Sequence, residues 1–213
     1  MRLLILAALL ALPQPVLADK PQTPDPWLRQ TLFGQVIRFA PVIAGSAGRP
    51  PDHAAQQGGN AIVEYIPTDE TLQGWSQIHT LTAAQGLGAG NPDAASHAQA
   101  IGAHFLQGYR GACALDVTEV ALIAPLIEGA RATAASYLAC DHVTGTGRGE
   151  AMVLLVIVGP RDTFTLQWAQ RSAARPQPQT VDPAELQRRL DQLAQVHLCS
   201  PPPGEAPPYP SCA

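Results

Sequence analysis

Apolar and polar residues change their period several times along the chain, and each change marks an element. Phe33 to Ile43 carries Phe33, Val36, Ile37, Phe39, Val42 and Ile43 in imperfect alternation, which predicts a strand or extended arm with order beginning near Trp27. Gly45 to Asn60 is rich in Gly, Pro, Asp and Asn and predicts an exposed loop. Ala61 to Ile66 predicts a strand closed by Pro67. Trp75 to Leu81 predicts a second, with Trp75, Gln77, His79 and Leu81 on one face. The period then lengthens. Ala98, Ile101, Phe105 and Tyr109 fall at steps of three and four and predict a helix, with Asn91 as cap, Pro92 at its first position, Asp93 in its first turn and Gly111 as its stop.

Four extended runs follow: Asp116 to Ile123, Ala132 to Asp141, Ala151 to Val158 and Thr163 to Ala169. The third is continuously apolar, as in a strand buried on both faces. The fourth alternates strictly, with Phe164, Leu166 and Trp168 on one face. Gly145 to Gly149 and Gly159 to Asp162 are turns, so consecutive antiparallel hairpins are the economical topology. Arg171 to Thr180 predicts a linker. A second helix starts at Asp182 as cap, with Pro183 first, Glu185 set for a capping box, and Leu186, Leu190, Leu193 and His197 as its apolar line. The expected fold is α+β: a mainly antiparallel sheet with two packed helices in a single domain.

Export changes the picture at both ends. Arg2 precedes an unbroken apolar stretch, Leu3 to Leu12, the length of a secretory leader and short of a membrane span. Pro13 and Pro15 follow, then Val16-Leu17-Ala18, where a signal peptidase would cut. The expected organisation is a signal peptide over 1–18, a mobile lead-in over 19–26, an α+β domain over 27–198 and a Pro-rich tail over 199–213. No transmembrane segment is expected after cleavage. The expected compartment is the periplasm or the exterior. There, Cys113, Cys140, Cys199 and Cys212 read as two disulfides. Four cysteines allow three connectivities. Cys113 with Cys140 and Cys199 with Cys212 is favoured, because the latter pair would close a Pro-rich segment, Ser200 to Ser211, that has no means of burying itself.

Chemistry is sparse. The whole chain has 13 Lys and Arg against 17 Asp and Glu, and losing Arg2 leaves the mature part at about −5, so no basic footprint for nucleic acid exists. His97 and His104 lie two helical turns apart, too far to share an ion, and no metal or other cofactor is expected. No GxSxG elbow, SxxK or closely spaced cysteine pair occurs, and Gly86 to Gly90 and Gly145 to Gly149 lack the Walker lysine. Glu64, Asp116, Glu119 and Glu150 are carboxylates whose mutual distances the spacing leaves open.

Tyr65-Ile66-Pro67, Glu70, Trp75-Ser76 and Thr80 form the most distinctive block. It resembles that of small uncharacterised exported bacterial proteins, and the order of elements after it is similar to the Mog1/PsbP-like sandwich of DcrB-type envelope proteins. The resemblance spans about Ile62 to Leu198 and implies a binding or accessory module. The expectation is therefore a non-enzymatic module for an envelope protein or small ligand, with Trp75, His79 and His142 as candidate contacts. The alternative is a small hydrolase using His79 or His142 with a carboxylate, and a third possibility is a tail that docks as polyproline II.

Overall fold

In the computed structural model the described residues are 26–90, 92–177 and 181–212. The leader, most of the lead-in and Asn91 lie outside them. Among the described residues ten strands form two antiparallel sheets. The smaller has the order β1-β2-β10, from β1 (Leu28–Leu32), β2 (Gln35–Phe39) and β10 (Val196–Cys199). The larger has seven strands in the order β3-β4-β5-β9-β8-β7-β6. Its members are β3 (His53–Gln57), β4 (Asn60–Tyr65), β5 (Gln77–Ala84), β6 (Thr118–Leu122), β7 (Ala132–Val143), β8 (Arg148–Val158) and β9 (Thr163–Ala173). The helices are α1 (Ala94–Ala112) and α2 (Pro183–Leu193). The α+β class and the run of hairpins from β6 to β9 are as the sequence predicts.

The layers follow from which face of the large sheet is apolar. On one face α1 lays Ala94, Ala98 and Leu106 over Leu138, Met152, Leu154 and Val156. On the other, α2 and the small sheet bring Leu186, Leu190, Ile37 and Phe39 onto Val153, Leu155, Ile157 and Leu166. Strand β8 therefore contributes to both cores, which is why its residues read as an uninterrupted apolar run.

Five boundaries differ from expectation, each for a local reason. The Phe33 to Ile43 segment is the second half of a hairpin: Phe33 (φ 52) and Gly34 (φ 73) form its two-residue turn, and an aromatic in the left-handed region disguises it. The predicted loop contains β3, an edge strand whose His-Ala-Ala-Gln-Gln composition has no apolar alternation. Asp93 caps α1, accepting from the Ser96 N–H at 3.0 Å, so Pro92 precedes the helix; the expected cap, Asn91, lies outside the described residues, and the helix continues past Gly111 to Ala112. Arg171 to Ala173 extend β9. The fifth is at α2: Asp182 caps it as expected, accepting from the Ala184 N–H at 2.9 Å, but Glu185 pairs with Arg188, and the helix stops at Leu193. His197 thus sits on β10 with its side chain exposed, not on the helix's apolar line.

Both disulfides form with the favoured pairing. Cys113–Cys140 ties the end of α1 to β7 (Cα–Cα 5.6 Å), and Cys199–Cys212 closes the tail (Cα–Cα 5.7 Å). The tail does not project: Arg29 donates to the Pro208 carbonyl at 2.5 Å, Gln35 to the Ser200 hydroxyl at 2.7 Å, and Glu205 accepts from the Ser211 N–H at 2.8 Å. These contacts hold the two ends of the domain together. Replacing Cys199 and Cys212 by Ser should lower unfolding free energy by about 3 kcal/mol through the freed chain entropy. Denaturant titration with and without reductant measures it, and a loss below 1 kcal/mol would mean that the Arg29 and Gln35 contacts alone hold the tail.

Candidate functional site

Trp75, His79 and His142 lie apart, and two of the three are interior. His79 is 1% exposed. On the large sheet it stands in a cross-strand row between Tyr65 and Trp168, with the Phe39 ring edge-on at 5.1 Å. Neither ring nitrogen has a partner among the described residues, and burial holds its pKa down at about 3. No partner surface and no substrate can reach it, so the structure removes it both as a contact and as the base of a hydrolase.

Trp75 is also buried, at 7% exposure. It precedes β5 and packs with Ile78 under α1, not on the Leu81 face, because the strand begins only at Gln77. The Arg171 guanidinium covers its ring at 3.6 Å and donates to Glu150 at 3.1 Å, while the Tyr109 hydroxyl donates to the same carboxylate at 3.3 Å. Burial, and then Glu150, push the Tyr109 hydroxyl's pKa far up, so it stays a neutral donor. Trp75 is thus the base of a structural network. His142 is half-buried near the end of β7, where its carbonyl accepts from Ala114 at 2.8 Å. Among the other carboxylates, Glu119 faces Arg110 at 3.9 Å and Glu64 accepts from Thr80 at 3.5 Å. No group of three or more His, Cys, Asp or Glu among the described residues is arranged to hold a metal. The two Gly-rich segments are turns.

The concave feature with the most chemistry lies elsewhere, where α2 crosses the end of the large sheet. It is a cleft of about 420 Å3 whose lining includes Tyr137, Asp141, Trp168, Arg175, Glu185 and Arg189. Its floor comes from the sheet register: Tyr137 pairs with Val153, which pairs with Trp168. Ala139 and Ala151 form the next cross-strand pair but one, and their small side chains leave the space. The wall is α2. Arg189 lays its guanidinium over the Trp168 ring at 4.5 Å and donates to the Trp168 carbonyl at 3.3 Å. Burial lowers the Arg189 pKa from its ordinary value, and Tyr137 and Glu185 work against that. The rim is Arg175, held in place by its N–H on the Asp141 carbonyl at 2.9 Å.

Tyr137 is 5% exposed, and its hydroxyl has no hydrogen-bond partner among the described residues. Burial raises its pKa, Arg189 and Arg175 pull the other way, and Asp141 adds to the rise. The hydroxyl is therefore a neutral donor that feels both guanidinium groups and makes no hydrogen bond among the described residues. Sequence reasoning missed this site, since Tyr137, Arg175 and Arg189 are widely spaced along the chain and meet only through strand register and helix docking. The sequence shows only that Tyr137 and Trp168 lie on two runs that read as strands.

No protein-family model matches the chain, and no curated protein matches it in sequence. Two disulfides fit an extracytoplasmic protein, and among the described residues no helix is long and apolar enough to cross a membrane.

Proposed function

We propose that the protein is an exported, periplasmic, non-enzymatic module that binds a small ligand in the cleft between α2 and the large sheet. The observation that carries this is the meeting of the Tyr137 hydroxyl, the Arg189 guanidinium and the Trp168 ring in one cleft, where the buried Arg189 Nε has no partner among the described residues. A buried polar group without a partner costs stability, and a binding site is where such a cost is offset by a ligand. The cleft also falls within the size range of small-molecule sites. A kinship with the Mog1/PsbP-like sandwich, expected from the order of elements, belongs to the same proposal and would put the protein among accessory modules.

The test is a small-molecule library screened by thermal shift against the wild type and against Ala151→Leu, which adds side-chain volume to the cleft floor. At least one compound should raise Tm in the wild type by several degrees and not in the variant, and it should be recovered chemically unchanged. Binding that is indifferent to Ala151→Leu would move the site elsewhere, and turnover of the compound would make the protein an enzyme.

A further inference from the structure

The ligand's chemistry can be read from which groups in the cleft are already committed, granting the binding role proposed above. The acids are engaged. Asp182 caps α2 through the Ala184 N–H at 2.9 Å, Glu185 pairs with Arg188, and Asp141 has a partner of its own. The donors are not. Arg175 makes no side-chain hydrogen bond or ion pair among the described residues, although its backbone is anchored on Asp141. Arg189 spends one N–H on the Trp168 carbonyl, and its buried Nε has no partner among the described residues. Tyr137, 5% exposed as a residue, adds a hydroxyl that makes no hydrogen bond among the described residues. Three donors of this kind, two of them planar guanidinium forks, are matched by one acceptor geometry: a carboxylate, whose two oxygens can each take an Arg N–H while one also accepts from a hydroxyl. Apolar lining comes from Ala139, Ala151, Val181 and Leu186, beside Gln170, Ser172 and the Arg171–Glu150 ion pair.

We propose that the cleft takes a small organic acid, its carboxylate held between Arg175, Arg189 and the Tyr137 hydroxyl and its apolar portion resting on Ala139, Ala151 and Leu186. The full chain, titrated with phenylacetate and with phenylacetamide by protein NMR, tests this. The two probes share an apolar portion and differ only in the charge of the head group.

Phenylacetate should shift resonances around Trp168 saturably and bind at least about tenfold more tightly than the amide, the factor set by a charge-assisted hydrogen bond. Arg175→Gln, at an exposed position, should weaken phenylacetate about tenfold or more and leave the amide unchanged. Tyr137→Phe should weaken the acid by a smaller factor. Equal affinity for acid and amide, or indifference to Arg175→Gln, would overturn the assignment of a carboxylate while leaving the cleft as a binding site. No saturable shift with either probe would overturn the organic-acid proposal outright, and the library screen would then decide separately whether the cleft binds anything.

Discussion

Bringing the protein from pH 7 to pH 4 will lower its stability, and His79→Leu will remove most of that loss. The imidazole is fully enclosed, both nitrogens lack partners, and its pKa is held at about 3 against 6.5 for a free histidine. The sign follows from proton counting. Between pH 6.5 and about 3 the unfolded chain binds a proton at His79 and the native protein does not, so stability falls steadily as pH drops through that window and levels off below it. One pKa unit corresponds to about 1.4 kcal/mol, so the full window is worth on the order of 5 kcal/mol, a large part of the stability of a domain this size. Asp52, Glu70 and Asp93 also have lowered pKa values, and their losses come at lower pH, around and below the ordinary carboxylate range. Subtracting the His79→Leu curve from the wild-type curve, both measured by denaturant unfolding from pH 7.5 to pH 4, isolates the histidine. At pH 7 the variant should match or exceed the wild type by about 1 kcal/mol, because two unpaired buried nitrogens are gone. A difference between the curves that does not change with pH would show that water or a proton reaches the ring, and the buried placement of His79 would fail with it.

The same histidine shows where sequence reading succeeds and where it stops. Its face was legible: alternation put His79 with Leu81, and both do lie on the side of the large sheet that meets the small sheet and α2. What covers that face was not legible, because Phe39 arrives from a strand some forty residues earlier, through a hairpin whose turn begins with an aromatic at positive φ. Period and turn chemistry are local, so the apolar run of β8, the strict alternation of β9 and the Asp-Pro start of α2 could be read directly. Strand β3 and strand β10 escaped for opposite reasons: the first is exposed and nearly featureless, and the second has only four residues and was absorbed into the apolar line of α2. The cleft escaped altogether. Its donors are brought together by β7 to β9 register and by where α2 lands, neither of which leaves a spacing in the sequence.

Gly129→Ala should destabilise the fold by about 3–5 kcal/mol, whereas Gly145→Ala should cost only about 1 kcal/mol, although the two glycines have almost the same backbone conformation. Gly129 has φ +82 and Gly145 φ +76, so either alanine meets the strain of the left-handed region, on the order of 1–2 kcal/mol. The neighbourhoods differ. A Cβ on Gly145 would have nothing within 4 Å, whereas one on Gly129 would stand 2.2 Å from the Leu198 carbonyl oxygen. No side chain can turn aside there, because the obstacle is the backbone of β10. The loop before β7 runs against that strand, with the Leu198 N–H directed at the Glu128 carbonyl at 3.4 Å, and Ile127 and Leu198 share one core. Making room for the methyl group means moving β10 away, and β10 is the strand through which the tail disulfide and α2 join the small sheet. The loss should therefore appear beyond the mutated loop. Amide exchange should quicken along β10 and β2 in Gly129→Ala, and should stay confined to the β7–β8 turn in Gly145→Ala. Equal costs for the two substitutions would mean that backbone strain alone governs both, and that the close approach of Gly129 to Leu198 does not join the two sheets.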